Sequence, residues 1–171
     1  MNKYIRIGIV RSTYYEKIEQ LMHGAALDVI DSNNNNNRFF KEHNIQYLNI
    51  NVLGSFEIPQ LISRHVDEFD AFIALGCIIK GETPHFDFIS KSITDGLMQI
   101  SIENKKPIGN GVLTCLNKKQ AEERSQGKRN KGAEAAKAVI HSLITSHFIK
   151  NDNLSSDDWS EFTNPNIYDE D

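Results

Sequence analysis

The sequence predicts an α/β protein, a three-layer α/β/α sandwich built on a four-stranded parallel sheet. Three observations lead there. Short apolar runs alternate with longer stretches whose apolar residues recur every three or four positions. The alternation starts on a strand and repeats in strand–helix order, which implies parallel pairing through right-handed crossovers. The residues that break the apolar pattern gather where strands end, and parallel sheets bind their ligands beyond those carboxyl ends.

The elements follow in order. Tyr4 to Val10 is mostly apolar, as a strand covered on both faces would be. "RSTYY" leads into a helix from Glu16 to Val29, with Ile18, Leu21, Met22, Ala25 and Val29 on one face. The run Asn33 to Asn37 is low-complexity, and asparagine forms turns well and helices poorly. An exposed loop or a lengthened helix end without function is expected there. Ile45 to Val52 is the second strand, and "LGSFEIP" turns it into a helix from Glu57 to Glu68. Ser55 is a candidate cap for that helix, and Pro59 fits its first turn.

Ala71 to Ile79 is a third strand, apolar except for Gly76. Phe86 to Glu103 is a helix carrying Phe86, Ile89, Ile93, Leu97 and Ile100 at helical spacing. "NKKP" ends it, and Pro107 to Leu113 makes the fourth strand. A short helix from Lys118 to Ser125, a loop "QGKRNKG" and an alanine-rich helix from Gly132 to Phe148 complete the set of elements. The order β-α-β-α-β-α-β-α-α is that of a flavodoxin-like fold.

The 171 residues suit one domain over 1–150, followed by a tail, 151–171, expected to be flexible. The tail holds seven of the 23 acidic residues and none of the 19 basic ones, so the rest of the chain carries a net charge of +3. A mildly positive body suits a small anionic ligand, whereas nucleic acid calls for a dense basic face. No apolar run approaches the ~18 residues that span a bilayer, and "MNKYIRIGIV" lacks the apolar core and cleavage site of a signal peptide. Cys77 and Cys115 have no framework spacing. The expectation is a cytoplasmic protein with no membrane and no nucleic-acid partner.

The strand exits hold the chemistry. His85 sits just after a strand at the start of a helix, placed either to exchange protons near neutral pH or simply to cap the helix. Gly81, Glu82 and Thr83 precede that helix, whose N–H groups favour anions. Arg124 and "GKRNK" add cations, for a phosphate or for a solvated loop. Tyr14 and Phe56 could stack on a flat ring or close the edge of the core. Glu57 could accept hydroxyl hydrogen bonds or complement the helix dipole. Cys77 reads as a buried, inert thiol. The six histidines show no metal-ligand spacing, so no metal and no cofactor is expected.

Taken together and in this order, the motifs resemble the 6,7-dimethyl-8-ribityllumazine synthase family of riboflavin biosynthesis, from about Ile5 to His147. "GSFEIP" is similar to the family's "GAFEIP", and "LGCIIKGETPHFDFI" to its "LGxVIRGxTxHxDxV". "GNGVLT…QAEER" and "NKGAEAA" match two later blocks. The resemblance implies condensation of 5-amino-6-(D-ribitylamino)uracil with 3,4-dihydroxy-2-butanone 4-phosphate. It implies pyrimidine contacts from Tyr14, Ser55, Phe56, Glu57, Cys77, Ile78, Ile79 and Asn110. It implies butanone phosphate contacts from Glu82, Thr83, Arg124 and Lys131, with His85 moving protons. It also implies a homo-oligomer, a pentamer or a multiple of pentamers, whose site lies between subunits, the arginine coming from the neighbour.

Asn110 stands where many members have phenylalanine, so that wall of the ring pocket is polar or uses another aromatic. The loop before Lys131 is about one residue short, and "TYY" replaces the common "RFN". An alternative on the same scaffold is a non-catalytic flavin- or lumazine-binding module. It would need neither His85 nor Arg124. An electron carrier of the flavodoxin type would need a phosphate loop at the first exit, and "RSTYY" has no glycine.

Overall fold

The computed structural model describes residues 4–36 and 43–151. Asn37 and the acidic stretch 152–171 fall outside these. The elements are β1 (Ile5–Ser12), α1 (Glu16–Asn36), β2 (Ile45–Val52), α2 (Glu57–Arg64), β3 (Ala71–Ile79), α3 (His85–Asn104), β4 (Ile108–Cys115), α4 (Lys118–Arg124) and α5 (Lys131–Asn151). Short 3-10 turns cover Val66–Glu68 and Gly127–Arg129. The strands form one parallel sheet in the order β2-β1-β3-β4. The chain moves outward from β1 to β2, then crosses back to β3. The order therefore reverses between β1 and β3, and a crevice opens there beyond their carboxyl ends.

Alternation along the strands sends successive side chains to opposite faces. On one face Ile7, Ile9, Ile73, Leu75 and Cys77 pack with Ile18, Met22 and Ala26 of α1 and Ala136, Val139 and Ile140 of α5. On the other, Val10, Phe72 and Ala74 pack with Ile58 and Ile62 of α2 and Ile93, Leu97 and Ile100 of α3. This is the expected three-layer sandwich.

Several boundaries move for identifiable reasons. Helix α1 runs past Val29 through Asn33–Asn36, so of the two readings of this run the lengthened helix end holds for these four residues. The Asn33 amide donates to the Val29 carbonyl at 2.9 Å. Asn34 accepts from the Ile45 N–H at 2.9 Å and donates to the Ile45 carbonyl at 3.3 Å, fastening the end of α1 to the start of β2. Ser55 does not cap α2. The N–H of Gly54 is instead taken up by the Glu57 carboxylate at 3.0 Å. Helix α2 stops at Arg64, and Val66–Glu68 is a 3-10 turn. Strand β4 extends to Cys115, because Thr114 and Cys115 stay in register with Ile78 and Ile79.

Asn130 starts α5. Its side-chain Oδ1 accepts from the N–H groups of Gly132 at 2.9 Å and Ala133 at 3.3 Å. Its amide donates to the carbonyls of Ser125 at 2.6 Å and Leu21 at 3.2 Å. One buried side chain thus caps α5 and ties it to α1 and to the end of α4.

Candidate active site

A cavity of about 350 Å³ opens at the carboxyl ends of β1 and β3, beside the exit of β2. That size suits a small organic ligand. Each wall comes from a different exit: Tyr14 and Tyr15 after β1, Gly54 to Phe56 after β2, and Cys77 to Ile79 at the end of β3. Gly81, Thr83, His85, Phe86 and Ile89 close it from the turn and first residues of α3. Eight of the residues singled out from the sequence therefore meet at one place, namely Tyr14, Ser55, Phe56, Cys77, Ile78, Ile79, Thr83 and His85.

The floor is built by close backbone packing. A Cβ on Gly76 would lie 2.6 Å from the Ser55 hydroxyl oxygen, so only glycine lets the β2 exit settle against β3. Ser55 is buried at 7% exposure, and its hydroxyl has no hydrogen-bond partner among the described residues. A buried unpaired hydroxyl is costly unless something completes it. Here the residue stands in the cavity wall with its hydroxyl turned against Gly76. Phe56 is half exposed and Tyr14 is 73% exposed, so both rings are free to meet a ligand.

His85 is exposed and opens α3, where first-turn N–H groups lack helical partners and favour an anion. Pro84 precedes it as the N-cap and supplies no side-chain hydrogen bond. The Lys80 ammonium lies 6.0 Å from the centre of the Phe86 ring, beside this turn.

Five singled-out residues do not line this cavity. Glu57 is engaged in its bond to Gly54. Glu82 is exposed in the turn before α3. Asn110 is exposed on the edge strand β4, and its side-chain oxygen accepts from the Val112 N–H at 3.0 Å. Arg124 ends α4, exposed and without a carboxylate partner among the described residues. Its charge is felt at the end of β4, where it opposes the upward push of burial on the Cys115 thiol. Lys131 pairs with Glu134 at the start of α5.

Sequence reasoning did not include Tyr15, Phe86 and Ile89 in the site. Phe86 and Ile89 were read only as apolar positions at helical spacing, and both are partly buried. Their place in the first turn after His85 was the available signal. Tyr15 packs against the α1–α5 core and meets Tyr14 edge-on, with ring centres 5.0 Å apart. Burial, Tyr14 and Cys77 all push its phenol upward, so it stays neutral near pH 7.

The Cys77 thiol is pushed up to about 12, by burial and then by Cys115. It is inert at neutral pH, as expected from its place in the strand. The linkage has a definite sign. The unfolded thiol ionises near its ordinary 9.0 while the folded one holds its proton to about 12. Stability from this source is thus full below pH 9 and is lost as pH rises towards 12. Urea midpoints should fall between pH 8.5 and pH 10.5, and fall less in Cys77→Ala. Equal losses in the two proteins would remove Cys77 as the cause.

Comparison with known proteins bears on this arrangement. A family model described as 6,7-dimethyl-8-ribityllumazine synthase matches residues 4–146. The chain is similar to the 6,7-dimethyl-8-ribityllumazine synthase of Corynebacterium kroppenstedtii, at 46% identity over 56% of this chain and 62% of that protein. It is 37% identical to the Mycobacterium leprae enzyme of the same name, over 82% of this chain and 84% of that one. The Corynebacterium urealyticum enzyme is 34% identical, over 82% and 83%. A match across nearly the whole described body, on a parallel α/β sandwich, places the chain in the 6,7-dimethyl-8-ribityllumazine synthase family of riboflavin-pathway transferases.

Proposed function

We propose that this cavity is where the chain carries out its family's reaction, joining 5-amino-6-(D-ribitylamino)uracil to 3,4-dihydroxy-2-butanone 4-phosphate. The observation that carries the reading is the convergence of Ser55, Phe56, Cys77–Ile79, Thr83 and His85 on one cavity at the sheet's reversal point. The pyrimidine ring lies along Cys77–Ile79 with Tyr14 and Phe56 over it. Its ribityl chain reaches Ser55 and Glu57. The phosphate end sits at the turn of Glu82 and Thr83 before α3.

The amine attacks the ketone, and loss of water gives an imine. Phosphate leaves, the resulting enol becomes a carbonyl, and the second amine closes the ring with loss of another water. His85 carries protons in these steps, and Arg124 and Lys131 balance the phosphate charge. These two cations and Asn110 lie outside this cavity in their own chain, and the reading assigns them to the cavity of an adjoining subunit in a cyclic homo-oligomer, a pentamer or a multiple of it. Residues 1–150 act as the catalytic domain. The non-catalytic binding module is not favoured, because it has no use for His85 and Arg124 together.

The direct test mixes the protein with both substrates and follows lumazine fluorescence against a protein-free blank. Product forming faster than the blank supports the reading, and a rate equal to the blank with pyrimidine still bound would move it to the binding module. In the same assay His85→Ala should lower kcat about 10²-fold, the lower end of what a positioned proton carrier supplies. Holding both substrates in reach still accelerates the reaction without it. A folded His85→Ala protein with unchanged kcat would remove the histidine from the proton path.

A further inference from the structure

Among the described residues, one largely buried ion pair joins β1 to α1 and takes no part in the reaction. Arg11, near the end of β1, donates from Nε to Glu19 Oε1 at 2.5 Å and from Nη2 to Oε2 at 2.7 Å. The Glu19 side chain is 1% exposed and that of Arg11 16%. The pair brackets the turn that carries Tyr14 and Tyr15. The Glu19 backbone N–H also donates to the Tyr15 carbonyl at 3.0 Å. On the other side, the Thr13 N–H donates to the Val52 carbonyl at 3.0 Å.

Buried ion pairs contribute little net stability, since desolvation offsets most of their attraction, and apolar side chains of similar size often serve as well. What a bidentate guanidinium–carboxylate pair adds is geometry, two parallel bonds that fix distance and rotation at once. Here the geometry fixed is that of the first turn of α1 against β1. The turn between them holds two cavity-lining rings, one of them 73% exposed and with few neighbours of its own to hold it.

We propose that Arg11 and Glu19 form a positioning pair that sets the aromatic wall of Tyr14 and Tyr15 for the pyrimidine substrate. The inference rests on the reading of this cavity as the pyrimidine site. The pair touches neither the reacting atoms nor the phosphate end, so its effect falls on one substrate only.

The test uses the full chain, with Arg11→Met/Glu19→Met as the apolar replacement and Arg11→Lys as the variant that keeps charge but loses the fork. Midpoints of thermal unfolding come first. The double variant should remain folded, with a midpoint near that of the unaltered protein. Its KM for the ribitylaminouracil should rise about 3- to 10-fold, a displacement effect, while its KM for the butanone phosphate stays unchanged. Arg11→Lys should move in the same direction, by less. Should the double variant not fold, Arg11→Lys decides alone. Unchanged KM for the pyrimidine, or equal rises for both substrates, would overturn the proposal. If the unaltered protein itself fails to bind the pyrimidine, the functional reading falls and the pair's role falls with it. Binding and turnover in the unaltered protein, with unchanged folded variants, would overturn the pair alone.

Discussion

Arg124→Ala should lower kcat/KM for the butanone phosphate about 10³-fold while leaving the KM for the pyrimidine within a factor of about two, as expected when a charge-assisted bidentate partner of a phosphate is removed. The guanidinium is exposed at the end of α4 and has no carboxylate partner among the described residues, so its removal leaves no orphaned acid in the chain. Its charge already reaches the end of β4, where it acts against burial on Cys115. Phosphate departure builds negative charge on the leaving oxygens, and a planar cation with two parallel donors is suited to follow it. A uniform loss for both substrates would instead mean that Arg124 shapes the fold of the site.

The same variant asks whose cavity the arginine serves. If the chain forms the proposed ring, co-expressing Arg124→Ala with His85→Ala yields mixed assemblies. If each arginine completes a neighbour's site in a ring, about one quarter of the sites at random mixing hold both native groups. Activity should then return to roughly a quarter of the unaltered level. If the arginine serves its own chain, every site lacks one group and no activity returns. Either outcome is read against the separately purified variants.

Much of the fold was legible because it depends on period. The strand–helix alternation and the two apolar faces of β3 follow from residues such as Phe72, Ile73, Ala74 and Leu75, buried from both sides. The cavity was legible because its residues stand at the ends of those runs. What escaped were tertiary hydrogen bonds. Asn34 reaches Ile45 across the connection between α1 and β2, and Asn130 reaches Leu21 across 109 positions. No local pattern distinguishes these asparagines from their neighbours, since turn propensity leaves Asn34 in a loop or a helix end and Asn130 in a loop. Ser55 was misread for a related reason. A serine before a helix is a good cap by type, but here Glu57 satisfies the Gly54 N–H and the serine hydroxyl is buried without a partner among the described residues. The Arg11–Glu19 pair is likewise invisible locally, because the partners stand eight positions apart across a strand, a turn and a helix.

The helix layer on the α1 side makes the last large prediction, since one glycine sets its spacing. A Cβ on Gly132 would fall 2.0 Å from the Met22 carbonyl oxygen, with the Met22 carbonyl carbon at 2.5 Å. Both are backbone atoms in the middle of α1, so no side-chain rotation relieves the overlap. Helices α1 and α5 would have to part by more than an ångström, opening contacts among Met22, Ala135, Ala136 and Val139. Gly132→Ala should therefore destabilise the protein by about 3 kcal/mol or more, at or beyond the upper end for core overpacking. For a chain of this size that is a fall of roughly 6–12 °C in the unfolding midpoint. Gly24 offers the matched control. It also lies within α1, with nothing within 4 Å of a built Cβ. There the same substitution should stabilise by about 0.5–1 kcal/mol, because alanine restricts the unfolded chain and favours helix. Opposite signs for one chemical change at two helical glycines would establish that close helix approach, not helix propensity, fixes residue 132. A Gly132→Ala protein as stable as the unaltered one would mean that α1 and α5 do not pack this closely.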